Sequence, residues 1–342
     1  MTNKPTILLI YTGGTIGMVK DYNTGALIAF DFTNLQKKIP ELNQLNCVIK
    51  SVSFDNPIDS SNMDPSYWID IATIIEENYH SVDGFVVLTG SDTMSYTASA
   101  LSFMFENLCK PIIFTGSQLP IGDLRTDAKE NLITAIQIAS VQENNLPKIT
   151  EVCLYFEYKL FRANRTTKIN AEHFEAFSSP NYPAIAESGV HLKFQDQLLH
   201  HNIGKKLIVR KKLNTDVVIL KLFPGITNSI VTSILTIKDL KGIILETYGS
   251  GNTTTDIEFI EQLTLAIKNG IKIVDVTQCV GGSVNLGQYE TSTQLKRIGV
   301  INGKDLTTEA AISKLMYLLA QDISSDTFKT IYEKSLRGEM TD

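Results

Sequence analysis

Residues 7–11, Ile7-Leu8-Leu9-Ile10-Tyr11, form an unbroken apolar run that ends in Thr12-Gly13-Gly14-Thr15-Ile16-Gly17. A strand that is apolar at every position has both faces buried, the pattern of a parallel strand covered by helices. The glycine pair stops it sharply, because glycine turns into positive φ without a steric penalty. What leaves the strand is a hydroxyl, Thr15, at the carboxyl edge of a sheet, where open α/β folds place their ligands. A loop hydroxyl that only satisfies local hydrogen bonds is the alternative on this stretch alone.

The same unit recurs. Residues 47–54, 84–88, 111–114 and 152–156 read as further strands. Between them, Asp64-Pro65 supplies an N-cap and a proline at the first helical position, and Trp68, Ile71, Ile74 and Ile75 form the apolar stripe of the helix that follows. Further helices are expected over 94–107 and from about 123 to 139. Strand, helix and strand in regular succession imply right-handed crossovers and a mostly parallel sheet flanked by helices. Four strand exits then converge on one edge: Gly13-Gly14-Thr15, Asp59-Ser60-Ser61, Thr89-Gly90-Ser91-Asp92-Thr93 and Thr115-Gly116-Ser117-Gln118.

From 178 to 212 the periods fade, apart from a short strand-like stretch at 191–194, and the basic residues Lys205-Lys206 and Arg210-Lys211-Lys212 read as a solvated linker. Beyond them the alternation resumes, with strands at 217–222, 242–246 and 271–276 and helices near 227–237, 255–268, 308–321 and 326–336. A chain of 342 residues exceeds what one core supports. The expected fold class is therefore α/β, with a larger N-terminal domain over 1–195, a linker over 196–214 and a smaller C-terminal α/β domain over 215–342.

Composition narrows the partners. With 43% hydrophobic and 20% charged residues and a net charge of -6, nothing points to nucleic acid or a membrane surface. The segment 1–4 is too short and polar for a signal peptide and no apolar run reaches membrane-spanning length, so a cytoplasmic protein is expected. Cys47, Cys109, Cys153 and Cys279 are scattered and the five histidines form no ligand spacing. Buried free thiols, no metal and no cofactor are the expectation.

The exits carry chemistry in combination. Ser91 and Asp92 at the head of a helix suit a zwitterion, with backbone N–H groups for negative charge and the Asp92 carboxylate for an ammonium. Asp59, Ser60 and Ser61 on a neighbouring exit offer hydroxyl and backbone donors to a carboxylate. Together they suggest an α-amino acid ligand. Thr15 and Ser91 are both candidate nucleophiles, and a hydroxyl needs a neighbour to accept its proton. No histidine lies near these motifs, which turns attention to Lys168 in Arg162-Ala163-Asn164-Arg165-Thr166-Thr167-Lys168, since a desolvated lysine can act as a base.

These motifs, in this order and spacing, with Leu119-Pro120 after Gln118, resemble the bacterial cytoplasmic (type I) L-asparaginase family. The likeness runs the length of the chain, through Pro224-Gly225, Tyr248-Gly249 and Thr277-Gln278-Cys279. It implies hydrolysis of the side-chain amide of L-asparagine to L-aspartate and ammonia, without a cofactor, by a homodimer or homotetramer. Matching positions make Thr15 the nucleophile of an acyl-enzyme. Ser91, Asp92 and Lys168 become the second polar set, which orients substrate and water and moves protons. Asp59, Ser60 and Ser61 would hold the α-carboxylate and Asp92 the α-ammonium. Electrostatic logic adds an oxyanion hole of backbone N–H groups near Thr15 and Ser91.

Three positions depart from the family's pattern. Ser91 stands where threonine is usual, keeping the oxygen but losing the methyl that restricts χ1. In the polar loop Asp21-Tyr22-Asn23-Thr24-Gly25, Ala26 follows the glycine where a tyrosine is expected, which leaves Tyr22 as the nearest substitute. Some members bind regulatory asparagine at a stretch matched here by Glu246-Thr247-Tyr248 and Thr277-Gln278-Cys279. Glu246 occupies the place of a cation there and would repel an effector carboxylate.

Three other readings remain to be weighed. A Rossmann-type nucleotide enzyme would need a glycine at Thr12. A non-catalytic amino-acid-binding module would keep Asp59 to Ser61 and Asp92 but has no use for Thr15 and Lys168. An asparaginase-like amidotransferase subunit would carry an additional N-terminal domain.

Overall fold

A computed structural model of the chain describes residues 4–20, 27–29, 39–202, 204–288 and 290–342. It divides into two compact units, Met1–Lys211 and Lys212–Asp342, whose boundary falls within the span expected to be a linker.

In the first unit, strand β1 (Thr6–Gly13) is buried at Ile7, Leu8, Leu9 and Ile10 alike, as its unbroken apolar run requires. It pairs in parallel with β2 (Val48–Ile58) on one side and β3 (Gly84–Leu88) on the other. Helix α1 (Pro65–Asn78) begins as its sequence demands, with the Asp64 carboxylate accepting from Ser66 N at 2.6 Å and Pro65 in the first turn. Helix α2 (Met94–Met104) follows β3, and β4 (Ile112–Thr115) pairs parallel to β3. Helix α3 (Ala128–Ser140) leads to β5 (Val152–Phe156), parallel to β4.

The sheet then continues antiparallel through β6 (Lys159–Arg162), β7 (Ala186–Ser188) and β8 (Leu192–Phe194), giving the order β8-β7-β6-β5-β4-β3-β1-β2. The β5–β6 turn places Glu157 and Tyr158 at φ 42 and 69, the double left-handed turn that suits a tight hairpin. The strand-like stretch at 191–194 is β8, whereas the three residues of β7 leave no readable period and only long-range pairing makes that strand visible. Helix α2 also stops three residues short of the expected end. Phe105–Glu106 instead pairs with Ile208–Val209, while Arg210 and Lys211 form ion pairs with Glu106 and Glu76 at 3.3 and 2.6 Å.

The second unit holds a four-stranded parallel sheet, in the order β9 (Val217–Lys221), β10 (Gly242–Thr247), β11 (Lys272–Thr277) and β12 (Ile301–Asn302). Helices α4 (Asn228–Leu235), α5 (Ile257–Lys268), α6 (Glu290–Ile298), α7 (Thr308–Leu319) and α8 (Ser325–Tyr332) accompany it. Its core centres on Ile243, Leu245, Ile273 and Leu263. Among the described residues, no helix is long and apolar enough to cross a membrane. Cys153 is buried and Cys47 and Cys109 are half-buried, but Cys279 is exposed in the turn that leaves β11, so burial does not extend to all four thiols.

Candidate active site

The parallel order of β4, β3, β1 and β2 sets their carboxyl ends side by side, and two glycines let the exits touch. Gly13 is paired with Ile58, the last residue of β2. Gly14 has φ 84, and a Cβ there would lie 2.3 Å from Gly90 N. A Cβ on Gly90 would in turn lie 2.4 Å from Ser60 Oγ. The Thr15 turn, the Ser91 exit and the Ser60 turn are therefore in direct contact through positions that have no room for a side chain.

The hydroxyls at these exits separate into two kinds. Thr12 Oγ1 donates to Leu88 O at 3.1 Å and Thr115 Oγ1 to Tyr155 O at 2.8 Å, so both stitch neighbouring strands together. Thr15 is half-buried, and its hydroxyl makes no hydrogen bond among the described residues. Beneath it, Tyr11 clamps the Thr15–Gly17 turn, its buried hydroxyl donating to Gly17 O at 3.2 Å. Burial pushes that phenol up to about 12, so it acts as a neutral donor.

Lys168 comes to this edge from far along the chain. The short helical turn Ala163–Arg165 is buried, and Thr166 Oγ1 donates to Ser95 Oγ at 3.2 Å, fastening the segment to the start of α2. Thr167–Lys168 then pairs with Phe177–Ser178. The lysine amine lies 2.9 Å from Ser91 Oγ and 2.5 Å from Asp92 Oδ1. Its side chain is mostly covered, whereas that of Asp92 is 66% exposed, so the carboxylate has an open flank as well as its lysine contact.

The Ser60–Asn62 turn completes the edge. The Asp59 carboxylate accepts from Ser61 N and Ser61 Oγ, each at 2.8 Å, and these bonds hold it below the usual carboxylate range. Thr93 Oγ1 donates to Ser60 O at 2.8 Å and ties this turn to the Ser91 exit. Ser61 has its hydroxyl engaged by Asp59, and Ser60 is buried against Gly90. The structure thus brings together Ser91, Asp92 and Lys168, with Ser60 and the Thr15 turn in contact through the glycines. Tyr22, the loop around it and Ala26 lie outside the described residues.

Sequence patterning missed the support behind the fourth exit. The expected helix from 123 starts only at Ala128, because Asp127 turns its carboxylate back to accept from Gln118 N at 2.9 Å and Leu119 N at 3.1 Å. Burial raises Asp127 despite those bonds. Asn131 Nδ2 donates to Gly116 O at 3.0 Å, and Asn131 Oδ1 accepts from Glu157 N at 3.2 Å. Burial, with Asp127, Glu130 and Glu175 nearby, pushes Glu157 up to about 7. The signal for this cluster was present only as two polar residues on an otherwise apolar helix face.

In the second unit, Glu246 accepts from Thr308 Oγ1 at 2.7 Å and pairs with Lys221 at 3.3 Å. Among the described residues, no group of three or more histidine, cysteine or acidic side chains is arranged to hold a metal.

A half-buried hydroxyl beside a lysine, serine and aspartate set is suited to acyl transfer from an amide bearing an ammonium and a carboxylate. Residues 6–200 match the family described as "Asparaginase, N-terminal", and residues 216–332 that described as "Glutaminase/Asparaginase C-terminal domain". The chain is 40% identical to L-asparaginase 1 of Escherichia coli strain K12 over 340 residues, which cover 99% of this chain and 98% of the relative. It is also similar to the crystal structure of L-asparaginase I from Vibrio cholerae, with a TM-score of 0.89, 39% identity and 99% of both chains covered. For the structure of a probable cytoplasmic L-asparaginase from Campylobacter jejuni the TM-score is 0.79 at 25% identity, with 97% of this chain and 100% of that one covered.

Proposed function

This chain belongs to the asparaginase family, and on that footing we propose that Thr15 is the nucleophile with which it hydrolyses L-asparagine to L-aspartate and ammonia. Thr15 Oγ1 adds to the side-chain amide carbon, the C–N bond breaks, and ammonia leaves with a proton to give an acyl-enzyme ester. Water then adds to that ester and returns the threonine hydroxyl as aspartate departs. The Ser91, Asp92 and Lys168 set serves the proton transfers. As an ammonium, Lys168 donates to Ser91 and Asp92. As a free amine it accepts the Ser91 hydroxyl proton, which readies the serine oxygen to take a proton from water.

The observation that carries this reading is the contact between the lysine-bearing set and the Thr15 turn. Lys168 Nζ is 2.9 Å from Ser91 Oγ, one residue from Gly90, which itself packs against Gly14. Asp92, with its exposed flank, receives the substrate ammonium. Asp59, Ser60 and Ser61 receive the α-carboxylate, with the Asp59 charge fixing the turn through Ser61 rather than meeting the substrate anion. The chemistry is assigned to the domain at 1–195, joined through 196–214 to the domain at 215–342.

We also place the protein in the cytoplasm, in keeping with its similarity to the probable cytoplasmic L-asparaginase of Campylobacter jejuni, as a homodimer or homotetramer, the usual closed symmetry of soluble enzymes. Ammonia release from L-asparagine, compared between wild type and Thr15→Ala, tests the assignment. Loss of turnover in the variant supports it, and undiminished turnover moves the nucleophile elsewhere.

A further inference from the structure

The Ser91 hydroxyl lacks the methyl group that would restrict its χ1, yet it has to present its oxygen to Lys168 and to a reacting group at once. A serine side chain has three staggered wells open to it. Something other than its own covalent structure must select the well in which Oγ meets the lysine amine at 2.9 Å.

The neighbouring exit supplies a partner. Ser91 Oγ donates to Gln118 Oε1 at 3.4 Å, and Gln118 Nε2 donates to His173 O at 2.9 Å. The second bond fixes the orientation of the amide, because a backbone carbonyl only accepts, so Nε2 must face it and Oε1 must face Ser91. The backbone of Gln118 is itself immobilised by Asp127, which accepts from the N–H groups of Gln118 and Leu119 and is buried beside Asn131. The hydrogen-bond direction then runs one way, from Lys168 to Ser91, from Ser91 to Gln118, and from Gln118 to the His173 carbonyl. With its hydrogen drawn to Gln118, Ser91 turns a lone pair to the Lys168 ammonium.

We propose that Gln118 is a positioning residue for Ser91, holding through its Oε1 the serine rotamer that a β-methyl would otherwise select. The assignment rests on the catalytic reading of Ser91 given above. Gln118 acts through Ser91 rather than on the substrate, so its removal dilutes the productive rotamer without removing a group that holds asparagine.

The test is a cycle of Gln118→Met, Ser91→Thr and the double variant, assayed for kcat and KM by ammonia release from L-asparagine, with thermal unfolding as a check on folding. Methionine keeps the length of the side chain and removes the amide. The expected result is a fall in kcat of about fivefold for Gln118→Met, the factor governed by one neutral hydrogen bond of ordinary net strength, with KM nearly unchanged. In the Ser91→Thr background the same Gln118→Met change is expected to lower kcat by less than about twofold, since threonine's branched Cβ restricts the rotamer by itself. An equal loss in both backgrounds, or no loss in either, overturns the proposal. Ser91→Ala separates the two levels. If it keeps wild-type kcat, the catalytic reading of Ser91 fails and the positioning role falls with it. If it is impaired while Gln118→Met is not, the positioning role alone fails.

Discussion

Gly14 and Gly90 lie so close that a Cβ on the first would come within 2.3 Å of the backbone nitrogen of the second. That approach joins the turn bearing Thr15 to the exit bearing Ser91 and Asp92, and it depends on a residue that tolerates φ 84 with no side chain. Gly14→Ala faces both a left-handed conformation and a backbone clash. The two together are expected to cost on the order of 3 kcal/mol of stability and to abolish ammonia release. Gly90→Ala meets first the Ser60 side chain rather than backbone, without a left-handed φ, and its stability loss is expected to be the smaller of the two. Urea unfolding of both variants, read beside their activity, checks the ranking.

Lys168 is held to Ser91 and Asp92, so its removal leaves the substrate-facing flank of Asp92 in place while deleting the amine that exchanges protons with Ser91. Lys168→Met is expected to lower kcat by about 10²-fold or more, the usual effect of losing a positioned acid–base group. Asparagine binding should survive, observable as thermal protection by L-asparagine in the inactive variant. Unimpaired turnover would remove Lys168 from the mechanism.

The second unit carries a pH-dependent burden at Asp275. This carboxyl group is fully buried in β11, its Oδ1 accepts from Thr247 Oγ1 at 2.7 Å, and its Oδ2 has no hydrogen-bond partner among the described residues. Burial pushes it up to about 7 even though Thr247 favours the charged form. The unfolded chain releases this proton near pH 4, at about 3.9. The folded state binds the proton more tightly, so the contribution of Asp275 to stability is greatest below about pH 4 and is lost as pH rises to about 7. Asp275→Asn keeps an acceptor for Thr247 and cannot ionise. Its gain in thermal stability over wild type is expected to grow from pH 4 to pH 7 and to level off above that, a trend followed by melting curves across the range.

Lys314 and Glu339 form a fully buried ion pair at 2.5 Å, and the lysine also donates to Lys334 O at 2.7 Å. Burial draws Lys314 below its usual range while Glu339 opposes the shift. Glu339 in turn accepts from Leu336 N and Arg337 N at 2.9 and 2.6 Å, so the pair fastens the end of the chain to α7. Glu339→Gln strands a buried ammonium and is expected to cost about 3–5 kcal/mol, and Lys314→Met in the same chain should recover part of that loss. Chemical denaturation of the single and double variants measures the recovery.

The local features of the catalytic edge were legible in the sequence for simple reasons. An apolar run ending in glycines defines β1 and its exit, Asp64-Pro65 defines the start of α1, and alternation of period defines the parallel sheet. Each signal is local, since burial of both strand faces, N-capping and glycine's backbone freedom act within a few residues. The resemblance of five short motifs supplied the roles, which no periodicity can give.

Tertiary structure decided which hydroxyls are free and what holds them. In sequence Thr12, Thr15, Ser91 and Thr115 are equivalent polar exits. Only strand pairing turns Thr12 and Thr115 into the sheet and leaves Thr15 and Ser91 at its edge. Lys168 reaches Ser91 because a buried turn is fastened to α2, and Gln118 faces Ser91 because Asp127 and His173 hold it at both ends. Those contacts span from nine to 77 residues, and a hydrogen bond between groups that far apart has no period or propensity by which the sequence could announce it. The sequence by itself determined the strands β1 to β5 and the residue types at the ends that form this edge. The packing of glycine against glycine determined that those ends form one site.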